Sequence, residues 1–243
     1  MSADDSDRAA TPARLNIGRA GSRYKTAALL NFRADHARAV DAVMTEVSAE
    51  WSHEHGLAEF HSDAATRDDY LHHPERGRRL RADEISNLKT LNRPPPRKAA
   101  SKPSVLIFVG DGLSSAAVEA GAMPLLRALT TTMRERYRLL KPIFIRNARV
   151  RIEDHLGEIL RPDLVCMIVG ERPGLATAES LSAYVLYRPR LKSLESDRTV
   201  ISNIHRGGIP IAEAAKKIAA LIDDAIRHRA TGTKLAAILA PMD

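Results

Sequence analysis

Six consecutive apolar residues, Leu164-Val165-Cys166-Met167-Ile168-Val169, run directly into Gly170-Glu171-Arg172-Pro173-Gly174. An apolar run without alternation fits a strand covered on both faces. Pro173 has no N–H for a central ladder, so the strand must end before it. Glu171 and Arg172 then fall at the end of a buried strand, where open α/β sheets bind ligands. Taken alone, the pattern favours the simpler reading of a tight turn with a solvated Glu/Arg pair.

The same patterns place the other elements. Ala27, Leu30, Ala34, Ala37, Val40 and Met44 recur at helical spacing and predict a helix from about Tyr24 to Val47, with Ser22 as its cap. A short helix is expected around Asp83–Leu91. Further on, strands alternate with helices. Val105–Val109 reads as a strand, followed by a helical segment to Ala120 and a fresh helix started by Pro124. A strand at Ile143-Phe144-Ile145 comes next, then a helix carrying Ile152, Leu156, Ile159 and Leu160. Beyond the central strand, Ala183–Tyr187 and Thr199–Ile204 read as strands, and a long last helix runs from about Pro210 to Arg229.

This order implies an α/β fold: a Rossmann-like, mostly parallel sheet with flanking helices, preceded by an N-terminal helical arm. Three successive prolines, Pro94-Pro95-Pro96, mark a linker over residues 93–103. The expected organisation is a disordered tail at 1–12, a helical arm or domain at 13–92, the linker, and an α/β domain at 104–243.

Composition narrows the picture. The chain has 243 residues, of which 44% are hydrophobic and 28% charged, as in an ordinary globular protein. No apolar run approaches the ~18 residues of a membrane helix. The acidic start, Met1-Ser2-Ala3-Asp4-Asp5, does not read as a secretory signal. Cys166 is the single cysteine and falls mid-run in the central strand, so it reads as a buried, inert thiol in a reducing compartment. The net charge of +7 admits an acidic partner, but aromatics are only 4%, which leaves few platforms for stacking nucleic acid bases.

Candidate chemistry is sparse. His53-Glu54-His55 and His72-His73 suggest metal ligands, but Leu57 stands where the zinc-protease spacing needs its second histidine, and paired histidines in polar segments are usually solvated. Gly110-Asp111-Gly112-Leu113-Ser114-Ser115 approaches the dinucleotide fingerprint, yet Ser115 replaces the third glycine and the next strand ends in Arg146, Asn147 and Arg149 rather than an acid. There is no nucleophile elbow and no P-loop. A ligand-ready sheet edge without a catalytic constellation points to a binding subunit whose chemistry lies elsewhere.

Taken in order, several segments resemble the small (light) subunit of ethanolamine ammonia-lyase. They are Gly18-Arg19-Ala20-Gly21 with the helix through Phe32-Arg33-Ala34-Asp35-His36, Asp111-Gly112-Leu113-Ser114, Arg149-Val150-Arg151-Ile152-Glu153-Asp154, Gly157-Glu158-Ile159-Leu160, Gly170-Glu171-Arg172-Pro173-Gly174-Leu175, and Ile201-Ser202-Asn203-Ile204-His205. The resemblance implies a lyase subunit that joins a large catalytic subunit in a hetero-oligomer and helps it hold adenosylcobalamin, for radical conversion of ethanolamine to acetaldehyde and ammonia. It implies no membrane and no nucleic acid partner, no catalytic residue and no metal ligand on this chain, and cobalamin contacts at Val150, Glu171 and Val200. The family has cysteine where this chain has Val200. A cytoplasmic location is expected, or one inside a bacterial microcompartment; residues 1–12 are short for the extension some members use to enter one. Two alternatives stand beside this reading: a free-standing nucleotide-binding α/β oxidoreductase built on Gly110-Asp111-Gly112, and a non-catalytic scaffold subunit.

Overall fold

The computed structural model describes residues 17–93 and 102–240. The expected tail at 1–12 and most of the proline-rich linker lie outside the described residues. A hairpin of two short strands, β1 (Arg19–Ala20) and β2 (Arg23–Tyr24), precedes helix α1 (Thr26–Met44). Ser22 falls in the hairpin turn beside Gly21, whose φ is +64°, and so does not cap α1, whose N-cap is Lys25. No residue of α1 is buried.

The body is a three-layer α/β/α arrangement around one seven-stranded sheet. Its strands are β3 (Ala58–His61), β4 (Ser104–Gly110), β5 (Arg138–Leu139), β6 (Ile143–Arg146), β7 (Leu164–Gly170), β8 (Leu181–Tyr187) and β9 (Thr199–Ile204). They run in the order β3-β6-β4-β7-β8-β9, with β5 paired to the start of β4. The first four of that order are parallel, whereas β8 and β9 add antiparallel. The sheet is therefore mixed rather than parallel throughout. The edge strand β3 comes from residues ahead of the proline-rich segment and pairs in register with β6.

Every residue of β4 and β7 is buried, and alternate side chains feed two cores. Val105, Ile107, Val109, Leu164, Cys166 and Ile168 face one; Leu106, Phe108, Val165, Met167 and Val169 face the other. This is why the apolar runs show no alternation. The first core is covered by two helices, α2 (Met123–Met133) through Leu125, Leu126, Leu129 and Met133, and α3 (Ile211–His228) through Ala214, Ile218 and Ile222. The second is covered by α4 (Ile152–Leu160) and by Leu80 and Leu88 from the N-terminal half.

Two helical details differ from expectation. Pro124 does not start a separate helix. A turn of α-helix at Ser115–Ala117 passes through a wide π turn, Val118–Ala122, straight into α2, with Pro124 within its first two residues. A π turn removes the tight spacing in which a proline ring would strike the carbonyl four residues back. The helix ending at His228 is also not the last, because α5 (Gly232–Leu239) follows it. Arg229, in left-handed geometry at φ +55°, makes the break.

Candidate functional site

On the second face, α4 covers β4 and β7, but β8 and β9 carry no helix of their own. The uncovered strip opens into a cleft of about 450 Å³ beyond the C-terminal ends of β4, β6 and β7. Its walls come from distant segments: Tyr70, the loop at Gly112 and Leu113, Ala148 to Val150, Val169 to Arg172, Ser182 and Tyr184 on β8, and Val200 and Ser202 on β9. Val150, Glu171 and Val200 thus line one space. Val200 is 44% exposed, an open apolar surface on an edge strand.

Glu171 is held tightly for a residue expected in a solvated turn. Its backbone N–H donates to the Ser180 carbonyl at 2.9 Å. Its Oε2 accepts from Ser180 Oγ at 2.6 Å, and its Oε1 accepts from Ser182 Oγ and from the Asn203 backbone N–H at 3.0 Å. The carboxylate therefore joins the end of β7 to the start of β8 and the end of β9. Among the described residues Glu171 makes no ion pair with Arg172. Asn203 reaches it from left-handed geometry, φ +59°, with its side-chain oxygen 2.7 Å from His205 Nε2. Since His205 Nδ1 accepts from the Gly207 N–H at 3.1 Å, the ring donates through Nε2.

The opposite wall rests on a stacked cation pair. The guanidinium groups of Arg149 and Arg67 both lie over the Tyr70 ring, 4.3 Å and 4.9 Å from its centroid. Tyr70 donates to the Ala148 carbonyl at 3.3 Å, and Arg149 Nη2 donates to the Tyr70 carbonyl at 2.8 Å. Arg67 Nη1 donates to the Gly112 carbonyl and lies 3.8 Å from Asp111. Buried Asp111 accepts from the N–H groups of Asn147 (2.8 Å) and Ala148 (3.0 Å), tying the end of β4 to that of β6. Burial pushes the Asp111 carboxyl above its ordinary value, against the pull of Arg67 and these amides.

That network explains Gly110-Asp111-Gly112 without a nucleotide. A Cβ on Gly112, whose φ is +61°, would sit 2.3 Å from the Gly170 carbonyl oxygen, and one on Gly170 would sit 2.2 Å from that of Ser114. The two strand ends touch there. The Leu113 N–H donates to the Gly170 carbonyl at 3.0 Å and the Ala117 N–H to Ser114 Oγ at 3.2 Å, so two of the amides near this turn are already engaged within the protein.

A third network aligns Val150 with Val200. Buried Arg198 donates through Nε to Glu153 Oε2 at 3.2 Å and pairs with Asp154. It fastens the start of β9 to the first turn of α4, and so joins the segment carrying Val150 to the strand carrying Val200. Burial pushes the Glu153 carboxyl well up. Glu153 and Asp154 stood in the quoted motif without a role; Arg198 supplies it. Tyr70, Tyr184 and Ser182 were not singled out from the sequence: cross-strand pairing marks Tyr184 and Ser182, and Tyr70, on the short helix Arg67–His72, is marked only by its contacts with the distant Arg149 and Ala148.

The family model for "Ethanolamine ammonia-lyase light chain (EutC)" matches residues 4–236. The chain belongs to the ethanolamine ammonia-lyase light chain family. It is 44% identical over 230 residues to a protein named ethanolamine ammonia-lyase small subunit from Clostridioides difficile, covering 94% of this chain and 76% of that one. Like-named proteins of Lachnoclostridium phytofermentans and Clostridium perfringens are 43% and 42% identical over 226 and 229 residues. They cover 93% and 94% of this chain, and 74% and 75% of the respective relatives. Membership in this family sets aside the free-standing oxidoreductase, in agreement with the filled Gly110–Gly112 loop. Among the described residues no helix is long and apolar enough to cross a membrane.

Proposed function

We propose that this chain is the small subunit of an adenosylcobalamin-dependent ethanolamine ammonia-lyase, and that its cleft holds one edge of the cofactor against a large subunit. The observation that carries this is the convergence of Val150, Glu171 and Val200, from three separate segments, in one cleft at the carboxyl ends of parallel strands. We read the parallel part of the sheet as Rossmann-like, and α1 as an arm.

The residues present suit the group. A corrin is a flat ring with apolar edges and peripheral amides. The cleft offers apolar walls at Val150, Val169 and Val200, an acceptor at Glu171, and an open side for a partner to cover. When bound, the cofactor supplies the radical chemistry that turns ethanolamine into acetaldehyde and ammonia. This chain positions one side of it, excludes water there, and contributes no acid, base or nucleophile. The valine at 200, where the family has cysteine, keeps the contact as a matter of shape. The exposed apolar residues of α1, among them Leu29, Leu30, Phe32, Val40 and Met44, are read as the docking face for the large subunit.

The test is equilibrium binding of cobalamin to the assembled complex, comparing wild type with Val200→Trp. An aromatic residue suits an exposed strand position and fills the cleft. Binding should be lost while assembly persists; unchanged affinity would remove cobalamin from this cleft.

A further inference from the structure

Tyr184 pairs across the sheet with Met167 on β7 and Val200 on β9, so its side chain stands on the same face as theirs. Its ring packs at the rim of the second core, as Val150 does, while the residue lines the cleft. Among the described residues no protein group hydrogen-bonds its hydroxyl. Tyr70 and Tyr137 differ, since their hydroxyls donate to the Ala148 carbonyl and to Asp223 Oδ1. Burial and the nearby Glu171 charge raise the Tyr184 phenol above its ordinary value, so at neutral pH it is a donor. Glu171 Oε2 accepts from Ser180 alone and keeps a lone pair. Among the described residues, the cleft lining thus offers a donor with no protein partner at Tyr184 and an acceptor with a remaining lone pair at Glu171. A ligand carboxylate would be repelled by Glu171, and an ammonium would leave the phenol O–H unmatched. A primary carboxamide satisfies both.

We propose that Tyr184 and Glu171 together hold a primary carboxamide, Tyr184 donating to its carbonyl oxygen while Glu171 accepts from its N–H. This rests on the reading that the cleft receives a corrin edge, whose rim carries such groups, and it adds Tyr184 as a further positioning residue.

The test uses the full chain assembled with a large subunit, with cyanocobalamin as the probe in equilibrium dialysis. Tyr184→Phe removes only the hydroxyl. It should weaken binding two- to tenfold, the range for one neutral hydrogen bond. Its melting temperature should not move, because the hydroxyl has no protein partner. Combined with Glu171→Gln, the two losses should be less than additive, as for groups sharing one ligand amide. Wild-type affinity in Tyr184→Phe, or strict additivity in the pair, overturns the proposal. If Val200→Trp also binds like wild type, the cleft reading falls with it. If Val200→Trp has lost binding, the carboxamide assignment alone fails.

Discussion

Glu171 is where the structural clamp and the proposed cofactor contact call on one side chain, which makes its replacement informative. Its carboxylate accepts from Ser180 Oγ, Ser182 Oγ and the Asn203 N–H. Bonds to a charged acceptor contribute roughly 1.5–3 kcal/mol and neutral ones roughly 0.5–1.5 kcal/mol. Glu171→Gln keeps one oxygen for Ser182 and Asn203, and Ser180 can turn its hydroxyl to accept from the new amide. The three bonds each weaken by up to about 1 kcal/mol, and the half-exposed setting reduces the sum, so a loss of about 1–2 kcal/mol is expected. Glu171→Ala removes both acceptor oxygens and so all three bonds, but their donors sit at a wet rim, so about 2–4 kcal/mol is expected. For a chain of this size those figures correspond to melting points lowered by roughly 3–6 °C and 6–12 °C. Thermal unfolding followed by circular dichroism checks both. A melting point for Glu171→Ala within about 1 °C of wild type would refute the three-strand clamp. In the assembled complex, Glu171→Gln should additionally weaken cobalamin binding by about tenfold or more. A small, salt-sensitive effect would instead mark Glu171 as a surface charge.

Three further outcomes follow from the same geometry. Arg198→Met leaves the buried Asp154 and Glu153 carboxyls without their shared guanidinium and should cost about 3–5 kcal/mol by urea unfolding, whereas Glu153→Gln keeps an acceptor oxygen for Arg198 Nε and leaves the Asp154 pair intact, and should cost less. Half-buried His155 accepts the Leu80 N–H at Nδ1, and its partial desolvation, with Arg79 nearby, lowers its pKa. Above about pH 6.5 both folded and unfolded states are neutral; below it the unfolded chain binds a proton that the folded one resists, so stability falls until the folded ring also protonates. His155→Asn keeps an acceptor and should flatten the melting-point change between pH 7.5 and 5.5; an unaltered slope counts against this. Deleting residues 1–40 should abolish co-purification with a large subunit while leaving the body folded. The cut must spare Val43, whose carbonyl accepts from Arg67, and buried Val47.

Hydrophobic patterning carried most of the sheet. β4 and β7 announce themselves because both faces are buried, and the turn after Val169 is dictated by Pro173. The edge strand β3 was missed because Ala58-Glu59-Phe60-His61 is short and half polar, and only pairing with β6 makes it a strand. The antiparallel sense of β8 and β9 was also hidden, since their order along the chain resembles a βα series until register is known. Val150, Glu171 and Val200 came from family resemblance, and the fold brings them to one cleft. Glu171's three donors and the Tyr184–Val200 pairing are long-range contacts that no local window contains.

The central claim, that this chain completes a lyase it cannot form alone, is tested most directly by acetaldehyde release from ethanolamine and adenosylcobalamin. Three samples are compared: this chain, a large subunit, and the two combined. The account predicts release only from the combination. Steady release from this chain by itself, or none from a verified complex, would contradict it.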